Sequence, residues 1–177
     1  VELAIEAPPG AGGLLFLPHL SGERAPHWDE RARGVFLGLS LEHDRRHMIR
    51  AGLEGIVLHL RSVADALAGL AGGLREVRVS GGFARSAALR QLIADILGRP
   101  VVRTDSEDAS GVGAARLALH ALGLMPDPAA SASTVTDRCD PNPELVPVYD
   151  RLHGMFKRSY ERVSDTFAEL DAFRSGG

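Results

Sequence analysis

Glu76-Val77-Arg78-Val79-Ser80-Gly81-Gly82-Phe83-Ala84-Arg85-Ser86 is the stretch from which the rest of this 177-residue chain is read. Val77 and Val79 are β-branched and alternate with polar neighbours, which predicts a short strand over 76–80. The glycine pair breaks that strand. Ser86 then stands where a helix wants its N-cap, and Leu89, Leu92, Ile93, Ile96 and Leu97 form one apolar face behind it. Gly98 and Pro100 stop the helix in the expected order. A strand ending in Gly-Gly just before a helix start brings bare backbone close to a ligand, because glycine has no Cβ to block the approach. The free N–H groups and positive end of the helix suit a phosphate or a polar ring. Ser86 can cap the helix, bond a ligand, or do both. The same pattern also describes a plain tight turn, and local pattern alone leaves both readings open.

Upstream, Asp44 is a good N-cap for a long helix. Its stripe is Ile49, Leu53, Ile56, Leu60, Val63, Leu67 and Leu70, and Gly72-Gly73 closes it. Arg50 with Glu54, and Arg61 with Asp65, read as i,i+4 pairs on its polar side, worth a few tenths of a kcal/mol each. Residues 13–17 and 34–39 read as short strands. Between them lies a loop with the only Trp and dense polar chemistry, which its own side chains or a partner must tie down. Downstream, Val101-Val102 is a short strand. Ser106 or Ser110 caps a helix running to Leu122, where Gly111, Gly113, Ala114, Ala115 and Ala118 predict close packing against a neighbour. Residues 126–143 read as a linker or extended loop, and Leu145, Val148, Leu152, Met155, Val163, Phe167 and Leu170 mark a last long helix. Strands alternating with helices predict an α/β layered fold.

Composition narrows the function. The formal net charge is -3, which offers nothing to nucleic acid or an anionic membrane. No apolar run approaches the roughly 18 residues of a membrane span. Cys139 is the one cysteine, so there is no internal disulfide and no cysteine-based zinc site; a reducing, cytoplasmic setting is expected. The chain opens in mid-pattern without Met and is expected to be part of a longer protein. Gly111-Val112-Gly113-Ala114-Ala115-Arg116 resembles a dinucleotide fingerprint with Arg116 in place of its last glycine, but no acidic residue follows about 20 positions on at the end of a second strand. His19, His27 and Asp29 match no metal-ligand spacing, so no metal site is assigned. Glu23 and Arg24 are expected to pair with each other or with loop backbone, and His47 and His59 to sit at the surface or boundary of the long helix. Asp105, Glu107 and Asp108 read as favourable charges at a helix N-terminus.

Several segments together resemble the C-terminal part of the FGGY carbohydrate kinases. They are Ser21-Gly22-Glu23-Arg24-Ala25-Pro26-His27-Trp28-Asp29 with Ala32-Arg33-Gly34, then Gly34-Val35-Phe36-Leu37-Gly38-Leu39, then His47-Met48-Ile49-Arg50-Ala51-Gly52-Leu53-Glu54, and finally Gly81-Gly82-Phe83-Ala84-Arg85-Ser86 followed by Arg90-Gln91 and Ala94-Asp95. Order and spacing agree over residues 13–123. The Gly-Gly-Phe-Ala-Arg-Ser form is most similar to gluconokinase, with xylulokinase next. The resemblance implies the C-terminal lobe of an actin-like (ribonuclease H-like) ATPase fold, here incomplete, with 1–125 as lobe segment, 126–143 as linker and 144–177 as a helix packing back on the lobe. It implies ATP with Mg2+ and phosphorylation of a sugar acid or sugar, gluconate before xylulose. Carried over by position, Gly81, Gly82 and Ser86 meet the adenine side of ATP. The family's catalytic Asp lies upstream of the matched region, so no catalytic residue is assigned and this chain alone is expected to be inactive. The expected partners are the N-terminal part of the same kinase and, through a sheet edge or apolar helix face left uncovered, a second copy. The competing expectations are a non-catalytic, truncated nucleotide- or protein-binding module, and a dehydrogenase segment around Gly111 and Gly113 that would bind NAD.

Overall fold

Two small sheets share one layer of long helices. The protein is seen as a computed structural model that describes residues 2–71, 73–104, 109–128 and 134–176. A short helix α1 (Glu2–Ile5) and a 3-10 turn (Ala11–Gly13) lead into β1 (Leu15–Leu17), which pairs antiparallel with β2 (Val35–Leu37). Phe16 stands opposite Phe36, and their rings stack with centroids 4.4 Å apart. The helix read from the apolar stripe is α2 (Arg45–Ala71), 27 residues long. It lies directly on β1, and one residue makes that approach possible. A Cβ at Gly55 would fall 2.2 Å from the Phe16 carbonyl oxygen.

The second sheet runs in the order β3 (Val77–Val79), β4 (Val101–Thr104), β5 (Val135–Cys139). β3 and β4 are parallel, joined over α3 (Gly81–Arg85) and α4 (Ala87–Leu97); β5 is antiparallel to β4. Parallel neighbours need such a crossover, and the helix supplies it. β5 falls inside the stretch read as linker. Its sequence, Val-Thr-Asp-Arg-Cys, is nearly all exposed and so lacks the alternation that betrays a half-buried strand. α5 (Ala109–Ala121) follows β4, and α6 (Val146–Ser175) closes the chain with Pro147 in its first turn, where no N–H is missed. The core joins all these layers: Leu17, Val57, Leu58, Ile96, Val101, Tyr149 and Phe167 are buried together.

Three expectations change. Arg50 and Glu54 are not a surface pair; both are buried, and they organise a network described below. Arg61 pairs with Asp150 of α6 rather than with Asp65. The small-residue face of α5 does not pack closely among the described residues. It is largely exposed, and a Cβ at Gly113 would meet nothing within 4 Å. Alanine is the best helix former, which accounts for Ala114, Ala115 and Ala118 without packing, whereas propensity gives no reason for Gly111 and Gly113. Ser106, Asp105, Glu107, Asp108 and Gly72 lie outside the described residues. The uncovered surface anticipated from sequence is present: β3 pairs only with β4 among the described residues. Beside it a groove of about 560 Å³ runs between Leu60, Val63 and Leu67 of α2 and Val77, Val79 and Leu97.

Candidate functional site

The glycine turn takes a form more specific than the sequence foretold. β3 is held in register by β4, with Val77 opposite Val101 and Val79 opposite Arg103. After Ser80, in extended backbone, Gly81 turns into the left-handed region at φ 66°. Only glycine takes that conformation without a steric penalty. The helix does not wait for Ser86. Residues Gly81–Arg85 already make a helical turn, the backbone extends again at Ser86, and α4 starts there afresh. The Ser86 hydroxyl accepts the Leu89 N–H at 3.3 Å, which is the capping bond its position called for. A Cβ placed on Gly81 or Gly82 would meet nothing within 4 Å, so the turn presents bare backbone to open space. A flat, polar ligand can lie against such a surface. Behind the turn, Ala84 is buried and its carbonyl accepts from the Arg90 guanidinium.

The polar loop before β2 is tied down by its own carboxylate. Glu23 is buried, and its Oε2 accepts the His27 and Trp28 N–H groups at 2.9 Å each. That is the backbone pairing expected of Glu23, and it fixes Trp28 in left-handed backbone at φ 57°. His19, also buried, packs edge-on against His59 of α2 and Tyr160 of α6, while His27 stacks on Tyr160 with centroids 4.0 Å apart. Burial, seconded by the neighbouring His59, lowers the His19 pKa to about 4. Burial and the Asp29 carboxylate push the Tyr160 phenol up to about 12. Through these ring contacts, and through the Tyr160 hydroxyl that donates to Asp29, His19, His27 and Asp29 dock the loop on α2 and α6. Tyr160, the hub of this arrangement, sits 131 residues from its Asp29 acceptor, and no local pattern points to it.

Two more clusters carry chemistry-bearing types without a site. Ser62, His153 and Asp65 have the composition of a nucleophilic triad, with Ser62 Oγ 3.0 Å from His153 Nε2. Ser62, however, is buried, and its hydroxyl also donates to the Leu58 carbonyl; neither residue lines a cavity described for this fold. The pair bolts α6 to α2. In the other cluster Glu54 Oε1 accepts from Gly10 N–H (3.0 Å), Arg50 Nε (2.8 Å) and the Tyr149 hydroxyl (2.9 Å). Arg50 also donates to the Ala7 carbonyl and to Tyr149. Burial and the Glu54 charge raise the Tyr149 phenol well above its ordinary range. This network joins the N-terminal segment, α2 and α6 through one carboxylate.

The family described as the FGGY family of carbohydrate kinases, C-terminal domain, matches residues 1–122. A gluconokinase of Bacillus subtilis (strain 168) is 36% identical over 174 residues, covering 93% of this chain and 34% of its own. Among solved structures, gluconate kinase from Lactobacillus acidophilus superposes with a TM-score of 0.85 at 33% identity, covering 96% of this chain and 35% of that one. A xylulose kinase from the same organism superposes with a TM-score of 0.86, again at 33% identity, over 96% and 35%. The chain thus spans about a third of the length of the curated relatives it matches.

Proposed function

The chain belongs to the FGGY family of carbohydrate kinases, and from that premise we propose that it forms the adenine side of the ATP site of a kinase that phosphorylates a sugar acid or sugar, gluconate before xylulose. Its architecture is the C-terminal lobe of the actin-like, ribonuclease H-like fold. One observation carries the assignment of the site: Gly81 and Gly82 leave the turn after β3 open on its outer side, with a left-handed Gly81 that no other residue adopts cheaply. The nucleoside lies against this backbone, and Ser86 holds the start of α4 beside it. Gluconate is favoured because a gluconokinase and a gluconate kinase are among the relatives and the Gly81–Ser86 sequence has the gluconokinase form.

Phosphoryl transfer is positioning plus charge stabilisation, and it needs a phosphate cradle, a metal such as Mg2+ and an aligned base acting together. This segment contributes the nucleoside end. The remainder of the kinase, in this reading, contributes the reactive end and the sugar contacts. The test is a Gly82→Val variant. Its φ is not left-handed and a Cβ there would meet nothing within 4 Å, so the branch stands on the open side of the turn, where a ligand feels it first. Calorimetric titration with ADP should show affinity falling about tenfold with an unchanged melting temperature. Equal affinity in the variant would move the site elsewhere. A coupled assay of the whole kinase with gluconate, xylulose and glycerol ranks the acceptors; no turnover on any of them would count against the carbohydrate-kinase reading.

A further inference from the structure

We propose that Arg90 is the positioning residue of the glycine turn, a guanidinium clamp that fixes Gly81–Arg85 from behind and is anchored in turn on Asp137 of β5. What the turn holds rests on the reading above; the clamp rests on its own geometry. α3 is a helical turn of only five residues, and its N-cap, Ser80, makes no side-chain capping bond. A turn that short has no stability of its own in water. Nothing packs where side chains of its first two residues would stand, because both are glycine facing open space. The position of the turn is therefore set from its other side.

There the contacts converge on one group. Arg90, on the inner face of α4, is buried at 5% exposure. Its Nη1 donates to the Ala84 carbonyl, one of the end-of-helix acceptors that α3 cannot satisfy internally. Its Nη2 donates to Asp137 Oδ2. Asp137 is itself fixed, since β5 pairs with β4 and Asp137 stands opposite Arg103. The planar fork matters: a guanidinium serves two acceptors in two directions at once, which a lysine ammonium on its flexible stem does with less order. Both bonds are charge-assisted. The same helix face ties down the chain beyond β5, where Gln91 donates to the Asp140 carbonyl at 2.9 Å and Asp95 accepts the Asn142 N–H at 2.8 Å. β5 thus reaches the glycine turn through Arg90 although it supplies no residue to it.

The experiment uses this chain with Arg90→Met, Arg90→Lys and Asp137→Asn. Asp137 is half exposed, so its variant keeps the fold even where Arg90→Met fails. Two quantities are read: amide hydrogen exchange across 82–86, and ADP affinity by calorimetry. Exchange in 82–86 should quicken about fivefold in Asp137→Asn and further in Arg90→Met, while amides of α2 and α6 keep wild-type rates. ADP affinity should fall about threefold and about tenfold respectively, with Arg90→Lys between wild type and Arg90→Met. Wild-type exchange in 82–86 in Asp137→Asn overturns the clamp. Faster exchange with unchanged ADP affinity overturns the positioning role. If the wild-type chain binds no ADP, the nucleotide reading fails while the exchange rates still decide whether the turn is held through Arg90.

Discussion

Acidification to pH 5 should strip this protein of a large share of its stability through two buried imidazoles. His19 and His153 both have their pKa lowered from 6.5 to about 4. Burial is the first cause for each; His59 adds to it at His19, and Arg61 and Lys157 add to it at His153, against opposition from Asp65 and Asp150. The sign follows from linkage. Between pH 6.5 and 4 the unfolded chain binds protons that the folded chain refuses, so stability falls as pH drops through 6.5 and the loss is complete near 4. From pH 7 to pH 5 each ring removes about 2 kcal/mol, and the pair about 4 kcal/mol, against the ordinary 5–15 kcal/mol of a domain. Asp44 does not confuse the window. Its carboxyl is held well below the usual range by Arg46 and then His47, so whatever it contributes is lost only below its ordinary 3.8. Urea unfolding at pH 7, 6 and 5 on wild type and His153→Gln separates the terms. The variant starts less stable, having lost packing and the Ser62 bond, but its decline from pH 7 to 5 should be shallower than the wild-type decline, with His19 and His59, whose pKa burial also lowers, supplying what remains. A flat wild-type profile over that range, or equal slopes in the two proteins, would refute the argument that burial keeps these rings neutral.

Two further outcomes are expected from the helix that carries the fold. Gly52→Ala should stabilise by about 1 kcal/mol, since the added methyl meets nothing within 4 Å and helix propensity rises. Gly55→Ala, three residues on, should cost about 3 kcal/mol because its Cβ would fall 2.2 Å from the Phe16 carbonyl oxygen; melting temperatures moving in the same direction would refute that packing. Glu54→Gln should cost about 3 kcal/mol in urea unfolding, because Arg50 is then left buried without its counter-charge. A loss under about 1 kcal/mol would mean that the Ala7 and Tyr149 oxygens suffice for the guanidinium.

Much of the architecture was legible because it is local. The stripe from Ile49 to Leu67 is periodic over about five turns, and α2 follows it. Ser86, Gly98 and Pro100 bound α4 by chemistry acting within one turn of the chain. The glycine turn was legible for a different reason. Gly81 must be glycine to take its φ, and a requirement of that kind leaves a mark at a single position. Gly98 left the same mark at the end of α4, but the glycines inside α2 gave no such sign. Gly52 and Gly55 look alike in the sequence, and only the lie of α2 on β1 tells which one a methyl group would ruin.

What stayed hidden is chemistry completed across long sequence separations. An Arg–Glu pair at i,i+4 reads as a solvated helix pair wherever it occurs. Arg50 and Glu54 become a buried hub only because Tyr149, 95 residues from Glu54, closes over them. Likewise β5 carries no strand pattern, since it lies at the sheet edge with most of its side chains in water. Yet Asp137, on that unremarked strand, holds Arg90, and Arg90 holds the Ala84 carbonyl under the glycine pair. The turn that marks itself so plainly in sequence is therefore only the exposed half of its own support. Its conformation is written in Gly81, but its place in the fold depends on a carboxylate more than fifty residues further along, which no reading of 76–86 by itself can supply.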